Sequence, residues 1–139
     1  AVGLPTGVIH GDLFRDNVLW EDGQITALLD WESASDGSLV YDIMVTVLAW
    51  CCGASLDWGL ASALLAGYRS ERDLDPLEWR GLRDAGRTAC LRFATTRITD
   101  IYLRGESPPG YKDYQRFLMR LDALQAVSAS ELASRLGQA

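Results

Sequence analysis

The chain has 139 residues, one ordinary domain by length, with a formal net charge of −6 and 48% apolar residues. That composition builds a real core and excludes a disordered chain, and the acidic balance argues against a nucleic-acid binder, which presents a basic patch. No apolar run approaches the roughly 20 residues that cross a bilayer. The opening AVGLPTG lacks the basic start and apolar stretch of a signal peptide, so a cytoplasmic protein with no membrane partner is expected. Cys51, Cys52 and Cys90 include no CxxC, and His10 is the only histidine. Metal–thiolate sites need more ligands than this, so reduced core thiols are expected.

In chain order, GVIH (7–10) reads as a short buried strand, followed by the polar stretch GDLFRDN. The apolar runs VLW (18–20) and ITALL (25–29) flank Asp22-Gly23, a hairpin turn signal, so an antiparallel pair is predicted with Asn17 entering and Asp30 leaving. DWESASDGSL reads as a loop. Helices are then predicted over Leu39–Cys52, over 57–71 with Asp57 as N-cap, and as a short third element with Pro76 in its first turn. A long helix over 81–104 is predicted to end at Gly105 and Pro108-Pro109, with further helices over 111–126 and 130–137. The fold class is α+β, mostly α: a small β-hairpin carrying polar loops, packed on a helical bundle, in a single domain spanning 1–139.

The informative strings are HGDLFRDNVLW (10–20) and LLDWE (28–32). Phosphoryl transfer needs an oriented acceptor hydroxyl, a group to take its proton, and Mg²⁺ on oxygen ligands to neutralise the triphosphate. Asp12 suits the proton acceptor. Asn17 and Asp30 suit the metal, and the hairpin returns one close to the other. His10 suits a place beneath the loop, holding its backbone. An acidic chain is compatible with a nucleotide held through Mg²⁺.

This arrangement resembles the catalytic loop of the protein-kinase fold, H-x-D-x-x-x-x-N, with a metal-binding Asp on the following strand. The H-G-D start and the D-W-E ending resemble the aminoglycoside-phosphotransferase branch, and Tyr41-Asp42-Ile43 is similar to its Y-D-L, whose Asp anchors the catalytic loop. The resemblance extends to the type II homoserine kinases through HGDLFRDNVLW, LVYDIMVTVLAWC, ALLAGYRS, LRFATTRITD and KDYQRFL, most of residues 8–125. It implies the C-terminal lobe of a kinase-like fold, with ATP as co-substrate and Mg²⁺ as cofactor. It also implies transfer to the hydroxyl of L-homoserine, on the way to threonine. A kinase for an aminoglycoside, a choline-like amine or a sugar is the alternative within the same chemistry. A non-catalytic kinase-like fragment serving as an interaction module is the alternative outside it.

Arg15, three residues past Asp12, is a candidate to touch the transferring phosphate. Glu32 is a candidate for the metal's surroundings or the acceptor's amino group. Arg92 and Arg97 are candidates to grip an acceptor carboxylate; five positions apart, they are about 140° around a helix from one another. The five tryptophans are read as packing residues, with Trp31 beside Asp30 set apart. The chain begins at Ala1, has no G-x-G-x-x-G, and carries Lys112 as its sole lysine. An N-terminal nucleotide-binding lobe is therefore expected to be missing from it. Such a fragment is expected to be inactive alone and to self-associate through the exposed lobe interface.

Overall fold

A computed structural model describes residues 3–106 and 113–137. Among these residues, two small antiparallel sheets and five α-helices make up the fold. Strand β1 (Thr6–Ile9) pairs with β4 (Ser35–Ser38), Ile9 opposite Ser35. Strands β2 (Val18–Glu21) and β3 (Gln24–Leu28) form the hairpin, Val18 opposite Leu28, with an irregularity between Leu19 and Trp20. Asp22 and Gly23 both have positive φ, 49° and 77°, the conformation that a tight hairpin turn of matching twist requires.

The stretch 30–39, read as a loop, departs from that expectation. It holds a 3-10 turn over Trp31–Ser33 and then β4. Its Ser, Asp and Gly residues carry no strand propensity of their own, and pairing with β1 supplies what the composition lacks.

Helix α1 (Leu39–Trp50) is the centre of the molecule, with Val40, Ile43, Met44, Val45, Val47 and Leu48 all buried. Helix α2 (Trp58–Glu71) starts where the Asp57 carboxylate accepts from the Leu60 amide at 3.0 Å. Helix α3 runs unbroken from Pro76 to Asp100. The short helix expected at Pro76 and the long helix expected over 81–104 are one element. The Asp75–Glu78 capping box starts it, and an internal glycine such as Gly81 costs only about 1 kcal/mol. It also stops short of position 104: the chain tightens into a 3-10 turn over Tyr102–Arg104 and closes at Gly105, φ 75°. Helices α4 (Gln115–Gln125) and α5 (Ala129–Arg135) complete the bundle. The expected helix stop at Pro108-Pro109, the first two positions of the 111–126 helix, and Lys112 lie outside the described residues.

α3 contacts α1, α4 and α5. Gly86 permits the close approach, since a Cβ there would meet Met44 Cε at 2.8 Å and Leu124 Cδ1 at 2.9 Å. Each fully buried side chain here, such as Leu48, Leu82 or Phe117, contributes roughly 1.5–3 kcal/mol. Cys51, Cys52 and Cys90 are buried free thiols, all pushed up in pKa chiefly by burial, Cys51 to about 11. Among the described residues no helix is long and apolar enough to cross a membrane.

Candidate active site

β1 delivers His10, Gly11 and Asp12 to the mouth of a cleft of about 780 Å³, where the helical bundle faces the hairpin. The backbone amides of His10 and Gly11 donate to the two oxygens of Asp42, at 3.0 and 2.7 Å. Asp42 sits in the first turn of α1, so the start of the loop is fixed to the central helix. Gly11 has φ +74°, and a Cβ there would lie 3.1 Å from the Ser33 carbonyl oxygen, which makes this position suited to glycine.

The His10 ring is buried and ties the loop to the hairpin's exit. Its Nδ1 accepts from the Asp12 amide at 3.3 Å, so Nε2 carries the proton donated to the Leu29 carbonyl, 2.8 Å away. Trp31 packs on the same ring, centroids 4.7 Å apart. Asn17 donates its side-chain amide to the Asp12 carbonyl at 2.8 Å, and the Leu29 amide donates to the Asn17 carbonyl at 2.8 Å. Loop and hairpin are thereby one hydrogen-bonded unit. Asp12, Asn17 and Asp30 all line the cleft.

Asp30 lies in the left-handed region, φ 61° and ψ 58°, a conformation that costs a non-glycine residue roughly 1 kcal/mol or more. The surrounding pairing holds it there. The Asp12 carboxyl is pushed above the ordinary carboxylate range, first by burial, with the Arg92 cation pulling the other way and Asp30 adding to the rise. Such a carboxylate is a better proton acceptor than a solvated one.

Arg92 lines the cleft but spends its guanidinium on the loop. Nη1 donates to the Gly11 carbonyl and, at 3.2 Å, to Tyr41 Oη, while Nη2 lies 3.4 Å from Ser33 Oγ. Arg15 donates to the Trp50 carbonyl at the end of α1 and lies over that indole ring. Glu32 lines the cleft from an exposed position in the Trp31–Ser33 turn.

Arg97 stands in a different setting. It faces the cleft from α3, donates to the Asp113 carbonyl at 3.2 Å, and stacks on Phe117 with its guanidinium carbon 4.5 Å from the ring centroid. Burial, together with Arg120 and Arg116, pushes its pKa down to about 10. Arg116 and Arg120, both on α4, line the same wall, and Arg120 stacks on Phe117 at 4.6 Å. The sequence reading missed these two. Their spacing of four on one helix, a like-charge pair that costs a few tenths of a kcal/mol, is the signal that was there to find.

Comparison with known proteins agrees with this geometry. The sequence model of the phosphotransferase enzyme family matches residues 1–83. A homoserine kinase of Caulobacter sp. (strain K31) is 42% identical over 111 residues, covering 78% of this chain and 34% of the relative. One of Neisseria meningitidis serogroup B is 38% identical over 101 residues, 71% of this chain and 33% of the relative. One of Xanthobacter autotrophicus is 35% identical over 132 residues, 88% of this chain and 41% of the relative. The chain therefore spans about a third to two fifths of the length of these curated relatives. With the family's sequence model covering more than half of the chain, and with the loop, hairpin and anchoring helix assembled around one cleft, the chain belongs to the phosphotransferase enzyme family.

Proposed function

We propose that this chain is the C-terminal catalytic lobe of an ATP-dependent small-molecule kinase, with L-homoserine as its first-choice acceptor. In this reading the acceptor hydroxyl oxygen attacks the γ-phosphorus of ATP, the bond to the bridging oxygen breaks and ADP leaves. Asp12 accepts the hydroxyl proton, help typically worth about 10²–10⁴-fold in rate. His10 and Asp42 are positioning residues: one ties the loop to the Leu29 carbonyl, the other holds the two amides preceding Asp12. Arg92 and Arg15 brace the loop from α3 and from the end of α1.

Asn17 and Asp30 fit Mg²⁺. The Asn17 amide nitrogen is spent on the Asp12 carbonyl, which leaves its side-chain oxygen for the cleft, and Asp30 adds a carboxylate; both are the hard oxygen donors that this cation takes. Bound there, the cation would neutralise charge on the phosphates.

The observation that carries the reading is the joining of Asp12, Asn17 and Asp30 at one cleft by a single hydrogen-bonded unit. The names of the relatives support homoserine as the acceptor. The cleft's arginines disfavour an aminoglycoside or choline-like cation in the same place, and its acids alone would have favoured one.

The test is a panel of acceptors offered with Mg·ATP to the full-length protein: L-homoserine, an aminoglycoside, choline and a hexose. Homoserine is expected to be phosphorylated fastest. Turnover confined to a cationic or sugar acceptor would overturn the substrate assignment and keep the chemistry. No turnover with any acceptor, together with no Mg·ATP binding, would favour the non-catalytic module.

A further inference from the structure

The α3–α4 wall of the cleft gathers Arg97, Arg116 and Arg120, and no carboxylate among the described residues pairs with any of them. Asp12 and Asp113 act on Arg97 through their charge, but neither carboxylate hydrogen-bonds to it. The Asp113 carboxylate accepts from the Gln115 amide at 2.9 Å and Tyr102 Oη at 3.2 Å, offering Arg97 only its backbone carbonyl. Asp100 accepts from Thr99 and lies 3.9 Å from Arg104. Arg120 reaches the Cys52 carbonyl at the limit of a hydrogen bond, 3.5 Å, and the Arg116 side chain makes no hydrogen bond among the described residues.

Three half-buried cations on one wall repel one another, and burial strips them of water. Other groups of this protein show the usual remedy: Arg69, Arg72, Arg87, Arg104 and Arg135 each lie beside an acid. Arg97 and Arg120 are moreover held ready, stacked on the one Phe117 ring, so little side-chain freedom remains to be lost when an anion arrives. Phe117 in turn packs edge-on to Phe14, two residues past Asp12, centroids 6.3 Å apart. The cationic wall is thus coupled to the catalytic loop, on the helical side of the cleft, while Asn17 and Asp30 belong to the hairpin side.

We propose that Arg97, Arg116 and Arg120 form the subsite for the carboxylate of the acceptor, so that the enzyme selects hydroxylated amino or organic acids over hydroxylated amines and neutral sugars. The proposal rests on the phosphotransferase reading above and names the acceptor class for it. A carboxylate in the grip of guanidinium groups makes charge-assisted, in part bidentate, hydrogen bonds. Losing one is worth about tenfold or more in affinity.

The experiment uses the full-length protein and two variants, Arg116→Gln and Arg97→Lys. The second keeps the charge in case the first perturbs packing. Steady-state KM is measured for L-homoserine, for its carboxamide and for ATP. Independently of turnover, protection of the fold by L-homoserine is read from the thermal midpoint. The expected result is a tenfold or greater rise in homoserine KM for Arg116→Gln, with KM for ATP within twofold of wild type and little added penalty for the carboxamide. A smaller rise is expected for Arg97→Lys. Unchanged homoserine KM in both variants overturns the proposal. So does a rise in ATP KM instead, which assigns the cluster to a phosphate. If the wild type turns over no acceptor, the phosphotransfer reading fails by itself. The carboxylate site then stands if homoserine still raises the midpoint of the wild type and not of Arg116→Gln, and falls if it protects both or neither.

Discussion

Two places in this small fold treat arginine oppositely. At the corner of α2 and α3, Arg72 meets Glu78 through both guanidinium nitrogens, and the same carboxylate accepts from the Asp75 amide that opens α3. Glu78 is fully buried and every charge there has a partner within the protein. On the wall between α3 and α4, Arg97 and Arg120 share an aromatic ring and reach backbone carbonyls, Arg116 lies beside them, and no carboxylate forms an ion pair with any of the three among the described residues. The first corner uses charge to fix the start of the longest helix. The second leaves charge that, on the proposal above, a ligand answers. On that proposal the difference separates arginines that stabilise this protein from those that serve its cleft.

The largest effect is expected at Glu78. Replacing it by Ala leaves Arg72 without its buried partner and removes half of the capping box. Urea unfolding is expected to show a loss of about 3 kcal/mol, the low end for a broken buried pair because Arg72 itself reaches water. A loss below about 1 kcal/mol would mean that the corner is no more structural than the wall.

Asp12 gives a second test, from the loop side of the cleft. Its folded pKa lies above the ordinary 3.8, so the folded state holds that proton more tightly than the unfolded chain does. Stability from this group is therefore full at acidic pH and is lost as pH rises from the unfolded pKa through the folded one. Without magnesium, Asp12→Asn is expected to unfold at a higher temperature than wild type at pH 7, with the gap closing as pH falls towards 3.8. A variant less stable than wild type at pH 7 would contradict this. The smallest effect is expected at Arg116. Arg116→Gln removes a like-charge neighbour of Arg120 and should leave stability within about 0.5 kcal/mol of wild type, on the favourable side, by the same urea measurement.

How much of this was legible in the sequence follows from how local each feature is. The strand into His10, the turn at Asp22-Gly23 and the spacing of Asp12, Asn17 and Asp30 are written in neighbouring residues, and the cleft contains all three. β4 was not legible, because Ser35–Ser38 becomes a strand only through β1. The continuity of α3 across Gly81 was masked by a glycine that tertiary packing accommodates against Leu4. The sequence reading set Arg92 and Arg97 about 140° apart on one helix, and in the structure one is bound to the Gly11 carbonyl and the other stacked on Phe117. The meeting of Arg97 with Arg116 and Arg120 joins two helices, and no local pattern records it.

The most direct test of the account is turnover of L-homoserine by the full-length protein with Mg·ATP, wild type against Asp12→Asn. A rate about 10²–10⁴-fold lower in the variant, with the variant folded, is what the account predicts. Equal rates would contradict it, and would remove Asp12 from the chemistry that the loop, the anchor and the cleft are proposed to serve.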